Sequence, residues 1–226
     1  MAHPDRHTDS PTSPSGTAPS LPSRSTRRGL PPTGLGRRAW WAIVVVGLVG
    51  QVAWVVENMY LNLFVYDTIT DDPTTIAIMV AVSAISATAA AFVVGAWSDR
   101  VGRRRVFIAA GYVLWGVSTM LFGFATVDTL AGLVPVASAA AAAAAAVIAI
   151  DAIMSFLGAG ANDASFNAWV TDITDEDNRG RVEAVLTALP LIAMLLVFGG
   201  LDGLTKNGDW ELFFIVTGAL MIIAGG

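Results

Sequence analysis

Polar side chains recur at helical spacing inside one apolar stretch of the chain, GQVAWVVENMYLNLF (residues 50–64). Steps of three and four residues place Gln51, Trp54, Glu57 or Asn58, and Asn62 on one face of a helix. An ionisable group inside a membrane is costly unless it is paired or hydrated, so Glu57 is predicted to line a solute or ion pathway. Its carboxylate could bind a coupling proton or sodium ion, or accept hydrogen bonds from a polyol, and Trp54 offers an aromatic face to a sugar ring. The alternative is a structural glutamate that a neighbouring helix neutralises.

A second polar group lies in the segment from residue 151 to residue 167. Asp151, Asn162 and Asp163 are its candidate pathway residues, with Asp151 and Asn162 on one stripe and Asp163 on another. Asp151 lies near the outer end of its helix, where an ordinary interfacial aspartate is the alternative. Asp163 is nearer the cytoplasmic end and is expected to be buried, as coupling machinery, a gate contact or a packing partner.

Residue usage argues against enzyme chemistry. The chain has no cysteine, and its two histidines, His3 and His7, lie near the N-terminus, outside the apolar body. Disulfides, a catalytic thiol and thiolate or histidine metal sites are therefore excluded from that body. We expect no catalytic residues, no metal site and no cofactor beyond a possible coupling H⁺ or Na⁺.

The composition predicts an all-α membrane protein. Of the 226 residues, 54% are hydrophobic and 14% are charged, whereas soluble domains carry roughly 25% charged residues. The formal net charge of −5 argues against a nucleic-acid partner. Because a bilayer core needs about 20 apolar residues per helix, the apolar runs predict six transmembrane helices, at about 39–66, 74–97, 106–126, 147–169, 182–201 and 212–226. The last run is short, so we expect the chain to be truncated inside the sixth helix. The alanine tract 139–146 is predicted to be a helical extension of the fourth helix, without chemistry of its own.

The charge distribution predicts the orientation. Residues 1–38 hold seven of the ten prolines and are predicted to form a disordered cytoplasmic tail rather than a cleaved signal peptide. Residues 39–226 would form the transmembrane bundle. Twelve of the thirteen basic residues fall on one side of a six-helix zigzag, which places both termini in the cytoplasm of a multi-pass plasma-membrane protein.

The densest positive charge lies in GAWSDRVGRRR (residues 95–105), in the turn between the second and third predicted helices. Gly95 would allow close backbone approach, Asp99 places a carboxylate at the membrane boundary, and Gly102 supplies a turn. A purely topogenic cluster would explain the arginines but neither Asp99 nor the two glycines.

This loop resembles the G-x-x-x-D-R-x-G-R-R signature of the major facilitator superfamily, matched here by Gly95, Asp99, Arg100, Gly102, Arg103 and Arg104. The resemblance implies the N-terminal six-helix half of a twelve-helix rocker-switch transporter. It also implies that Asp99 pairs with a helix end of the missing C-terminal half, and that Asp172 is the in-chain partner of Arg103 or Arg104. These residues would form a cytoplasmic gate.

The loop after the fourth helix refines this resemblance. Asp172 and Thr174 followed by Arg179 and Gly180 are similar to the branch of glycoside and sugar cation symporters. The second helix has no acidic residue, in contrast to that branch, so coupling would fall to Glu57. Drug efflux is second choice, because the antiporter motifs are missing from the fourth and fifth helices. We expect a secondary transporter that moves a small polar solute, such as a sugar with a coupling cation, by alternating access. The alternative is a non-transporting six-helix receptor, scaffold or assembly partner, or an inactive fragment.

Overall fold

The computed structural model describes residues 34–133 and 135–226. Residues 1–33 of the predicted disordered tail lie outside the described residues. Within the described residues all regular secondary structure is helical. Six principal helices are present: α1 (Arg37–Thr68), α2 (Pro73–Val101), α3 (Arg104–Phe124), α4 (Ser138–Ile173), α5 (Arg179–Gly200) and α6 (Trp210–Gly225).

Five of these helices are long and apolar enough to cross a membrane, and α6 is a shorter apolar helix. Two short helices lie in the connections, Val127–Ala131 before α4 and Asp202–Lys206 before α6. The basic and acidic loops lie at opposite ends of the zigzag. We call the end with the α2–α3 and α4–α5 loops the arginine end, and the end with the α1–α2, α3–α4 and α5–α6 loops the acidic end.

Helix α4 contains the predicted segment from residue 147 to residue 169 together with the helical extension that we predicted before it. The alanine tract 139–146 is continuous with it, in a helical segment that begins at Val136. Alanine has the highest helix propensity, so nothing in this tract stops the helix. At about 1.5 Å per residue the 36 residues of α4 extend about 54 Å, beyond the roughly 30 Å of a hydrocarbon core. The excess lies toward the acidic end.

The ends of α2 are fixed by local chemistry. The Asp72 carboxylate accepts a hydrogen bond of 3.0 Å from the backbone N–H of Thr74, and Pro73 occupies the first turn. This backbone N–H lowers the pKa of the Asp72 carboxyl. At the other end Gly102 has φ +66°, a left-handed conformation that residues with a Cβ rarely adopt, and it ends the helix as expected.

The helices pack mainly in the pairs α2 with α4, α3 with α6, α3 with α4, and α1 with α5. Lipid is as apolar as the helix surfaces, so this packing depends on close contact rather than on the hydrophobic effect. Gly116 of α3 faces Gly218 of α6, and a Cβ added at Gly116 would lie 2.5 Å from the Gly218 carbonyl oxygen. The two backbones therefore meet directly at this crossing.

A half-buried polar link ties α1 to the acidic-end connection. The Tyr60 hydroxyl donates to Asp202 Oδ1 at 3.0 Å, and Lys206 Nζ lies 2.5 Å from Asp202 Oδ2. The hydrogen bond from the Lys206 ammonium lowers the pKa of the Asp202 carboxyl. Tyr60 also packs on Phe213 of α6, with ring centroids 5.0 Å apart, so the acidic end of the bundle is held together by aromatic and ionic contacts.

Candidate ion and solute site

Two π-helical segments interrupt the helices that carry the predicted pathway residues. One is Val56–Tyr60 in α1 and the other is Ala159–Phe166 in α4. π-helical turns widen the helix locally and occur frequently at functional sites. Each segment contains a consecutive pair of polar residues, and in each pair one side chain is buried and the other is exposed.

The first pair is Glu57 and Asn58. Glu57 is buried, with 8% of its surface exposed, and Asn58 is exposed. Ser155 Oγ of α4 donates to Glu57 Oε1 at 2.5 Å. Glu57 therefore joins α1 to α4 inside the bundle.

Asp151 lies one turn before Ser155 on α4 and is 2% exposed. It is buried against α2 rather than exposed on the helix surface. Ser83 Oγ of α2 donates to Asp151 Oδ2, and Ser86 Oγ donates to the Ala152 carbonyl at 2.5 Å. Two buried carboxylates thus hold α1, α2 and α4 together.

Each of these carboxylates keeps one oxygen without a protein donor. Glu57 Oε2 and Asp151 Oδ1 are buried and accept no hydrogen bond from the part of the chain that the structure describes. Both residues line a cleft of about 150 Å³, with Trp54, Asn58 and Asn62 of α1 on its wall. We call this cleft the carboxylate cleft.

The carboxylate cleft has the chemistry of a site for a small hard cation. Carboxylate and hydroxyl oxygens bind protons and hard metal ions, and two negative charges buried together are strongly unfavourable without a positive partner. The three ion pairs of the described residues all lie at the ends of the bundle, so no basic side chain neutralises the cleft. A cluster of three or more side chains able to hold a metal ion is not found in those residues.

Three predicted pathway residues lie outside this cleft. Gln51 is half-buried and lies about 9 Å below Glu57 along the helix axis, too far to reach so small a space. Asn162 is buried, whereas Asp163, which we expected to be buried, is exposed. The reason is that successive residues of a helix point in different directions, and Asn162 is the one directed into the bundle. Asn162 Nδ2 donates to Asp163 Oδ1 at 3.0 Å.

Sequence reasoning missed the partners that α3 supplies. The Tyr112 hydroxyl lies 2.9 Å from both Asn162 Oδ1 and the Val46 carbonyl oxygen, which links α1, α3 and α4. Gly50 makes room for this link, since a Cβ there would lie 2.5 Å from the Tyr112 hydroxyl. Trp115 packs edge-on against Trp54 with ring centroids 5.6 Å apart. The sequence does contain a signal for these partners: the spacing of three residues places Tyr112 and Trp115 on one face of an apolar helix.

At the arginine end, Arg104 joins two carboxylates. Its Nη1 lies 2.8 Å from Asp99 Oδ1, and its Nε donates to Asp172 Oδ2 at 2.6 Å. Asp172 therefore pairs with Arg104 and not with Arg103. Asp99 also pairs with Arg104 of its own loop, and its expected partner in a second half stays a prediction.

The other arginines of the predicted gate lie on the surface of the arginine end, and their gate role stays a prediction. Arg100, Arg103 and Arg179 are exposed, and none of them forms an ion pair with a described residue. A Cβ at Gly95 would reach Ala164 Cβ at 3.7 Å, an ordinary contact, so the expected close backbone approach is not found there.

Comparison with known proteins agrees with this architecture. The model of the Major Facilitator Superfamily matches residues 39–226, the whole helical bundle. The chain therefore belongs to the major facilitator superfamily, whose members are generally membrane transporters rather than enzymes. It is a multi-pass membrane protein. A search of curated proteins and a search of solved structures found no match.

Proposed function

We propose that the chain is one six-helix half of a secondary transporter that moves a small polar solute by alternating access, driven by a proton or sodium ion at Glu57 and Asp151. The observation that carries this proposal is the pair of buried carboxylates, each bonded to one serine and each with one free oxygen in a shared cleft.

The position of other polar residues supports a pathway beside the cleft. Asn58 of α1 and Asp163 of α4 are exposed on the bundle surface, well inside the ends of apolar helices, and Asn167 is exposed one turn beyond Asp163. Polar and ionisable groups at that depth avoid lipid. This face is therefore suited to border an aqueous cavity completed by a second six-helix bundle.

The cleft couples cation binding to helix positions. Glu57 joins α1 to α4, and Asp151 joins α4 to α2. A cation between the two carboxylates would offset their mutual repulsion, so the three helices would pack differently in the loaded and empty states. The π-helical turn Val56–Tyr60 lies directly at Glu57 and gives α1 a place to change register.

The solute would bind against the ring of Trp54. Trp54, Asn58 and Asn62 line the carboxylate cleft, and an aromatic face beside amide groups suits a sugar or another polyol. Asn62 Oδ1 has no hydrogen-bond donor among the described residues, so it is available to a solute hydroxyl.

The orientation follows from the arginine end. Arginine-rich loops remain in the cytoplasm, so this end would face the cytoplasm of a plasma-membrane protein. Arg104 would then hold the α2–α3 loop against the end of α4 as a cytoplasmic gate.

The test is solute accumulation by the protein expressed from its complete coding sequence and reconstituted in liposomes. A panel of radiolabelled sugars, polyols and amino acids is offered under an imposed pH or sodium gradient. The wild type should concentrate at least one solute inside the liposomes. Glu57→Gln should still equilibrate that solute across the membrane but should no longer concentrate it, because the amide cannot carry the cation. Glu176→Gln, an exposed change in the α4–α5 loop, is the matched control.

Two results would overturn the proposal. If Glu57→Gln concentrates solute with unchanged ion dependence, Glu57 has no part in coupling. If the wild type moves no solute of the panel under either gradient, the chain is not part of such a transporter.

A further inference from the structure

A second cleft lies on the outer surface of the bundle, between α2, α3 and α4. It measures about 500 Å³. Its lining is almost entirely apolar, and Arg103 is its only charged residue. Trp97 is 60% exposed and Leu114 is 51% exposed, so the cleft opens outward rather than into the bundle. We call it the outer groove.

Small residues form the floor of the outer groove. A Cβ at Gly111 of α3 would lie 2.5 Å from Ala161 Cβ, and a Cβ at Gly160 of α4 would lie 2.9 Å from Val94. The three helices therefore approach closely, and larger side chains rise on both sides. Trp97 and Phe107 stand edge to face on one wall, with ring centroids 5.3 Å apart.

The groove has the length of one bilayer leaflet. From Arg103 to Leu114 the chain along α3 rises about 16 Å at about 1.5 Å per residue, roughly half of a 30 Å hydrocarbon core. Trp97 lies near the arginine end, at the level where tryptophan prefers the membrane interface. A single acyl chain from the adjacent leaflet matches this length and this lining.

The charge at the end of the groove selects the headgroup. Arg104 forms ion pairs with both nearby carboxylates, Asp99 and Asp172. Arg103 is exposed and has no carboxylate partner within the described ranges. A guanidinium group binds phosphate oxygens through paired hydrogen bonds. Its free positive charge favours a lipid with net negative charge over a zwitterionic one.

We propose that the outer groove binds an anionic phospholipid, with one acyl chain along Gly111 and Leu114 and the headgroup on Arg103. The site is distinct from the carboxylate cleft and requires neither the proposed solute nor the proposed coupling ion. It would make the packing of α2 against α3 and α4 depend on the lipid composition of the membrane.

The test is lipid retention, measured by native mass spectrometry of the purified chain with added phosphatidylglycerol or phosphatidylcholine of identical acyl chains. Arg103→Gln should weaken phosphatidylglycerol binding about fivefold, as expected for one basic residue near an anionic lipid, and should leave phosphatidylcholine binding unchanged. Arg105→Gln, which removes the same charge from a residue that does not line the groove, is the control. Equal phosphatidylglycerol binding by the two variants would overturn the proposal.

The acyl-chain part of the site is tested separately. Ala110→Phe fills the groove and should reduce retention of both lipids, whereas Val117→Phe, an exposed position of α3 outside the groove, should not. A photoactivatable phosphatidylglycerol on the wild-type chain provides a readout that needs no variant. Its crosslinks should map to peptides of α2, α3 and α4 around the groove, and crosslinks spread evenly over all six helices would contradict the site.

Discussion

Replacement of Arg104 by glutamine should destabilise the bundle by a predictable amount. Arg104 is 2.8 Å from Asp99 and 2.6 Å from Asp172, and the two carboxylate side chains are 60% and 52% exposed. Exposed pairs contribute about 0.2–1 kcal/mol each, and one shared arginine, itself only 22% exposed, favours the upper part of that range. The loss of both pairs should therefore lower the free energy of unfolding by about 1–2 kcal/mol. For a chain of this size that corresponds to a Tm lower by about 2–8 °C.

The assay is thermal unfolding of the purified chain in lipid nanodiscs, followed by tryptophan fluorescence at low and high salt. Arg100→Gln removes the same charge from an arginine without an ion pair in the described part of the chain, and its Tm should change little. The difference between the two variants should shrink at 1 M salt, where the Debye length falls to about 3 Å. The double variant of Arg104→Gln with Asp172→Asn should lose less stability than the sum of the losses in the two single variants. Equal shifts for the two arginine variants, or additivity within about 0.3 kcal/mol, would refute the bridging role of Arg104.

Two further predictions concern packing and orientation. Gly116→Ala should lower the free energy of unfolding by about 1–3 kcal/mol, because its Cβ would lie 2.5 Å from the Gly218 carbonyl oxygen. Gly199→Ala, whose Cβ meets nothing within 4 Å, should raise the Tm or leave it unchanged. A Tm that falls in Gly199→Ala but not in Gly116→Ala would contradict the packing. The chain has no native cysteine, so single cysteines can be labelled directly: Asn207→Cys should react with an impermeant maleimide on intact cells and Glu176→Cys only after permeabilisation, and the opposite pattern would contradict a cytoplasmic arginine end.

The helical architecture could be predicted because composition and charge act over long stretches. Runs of apolar residues gave six helices, and the resemblance of the loop from Gly95 to Arg104 identified the superfamily that the family comparison confirms. The helical extension of α4 through the tract 139–146 was predicted, and the structure has it. Hydropathy does not separate this extension from the membrane-spanning part, because the chain is apolar and helical on both sides of residue 147. Apolar length alone does not say where a helix emerges from the bilayer.

The site was predicted only in part, because it depends on the register of individual turns. Glu57 and Asn58 were alternatives for one face, and the helical spacing does not contain the π-helical turn that buries one and exposes the other. The same holds for Asn162 and Asp163, for which the expected burial of Asp163 was wrong. The pair of Asp99 with Arg104 was not predicted either, since contact within the loop depends on the left-handed turn at Gly102.

The most direct test of the central claim is an infrared difference spectrum of the purified chain on a change of pH or on addition of sodium. We predict that carboxyl bands change in the wild type and in Glu176→Gln. These bands should be lost or altered in Glu57→Gln and in Asp151→Asn, because in the proposed site both carboxylates share one cation. Carboxyl bands that are identical in the wild type and in both cleft variants would contradict a cation site at Glu57 and Asp151.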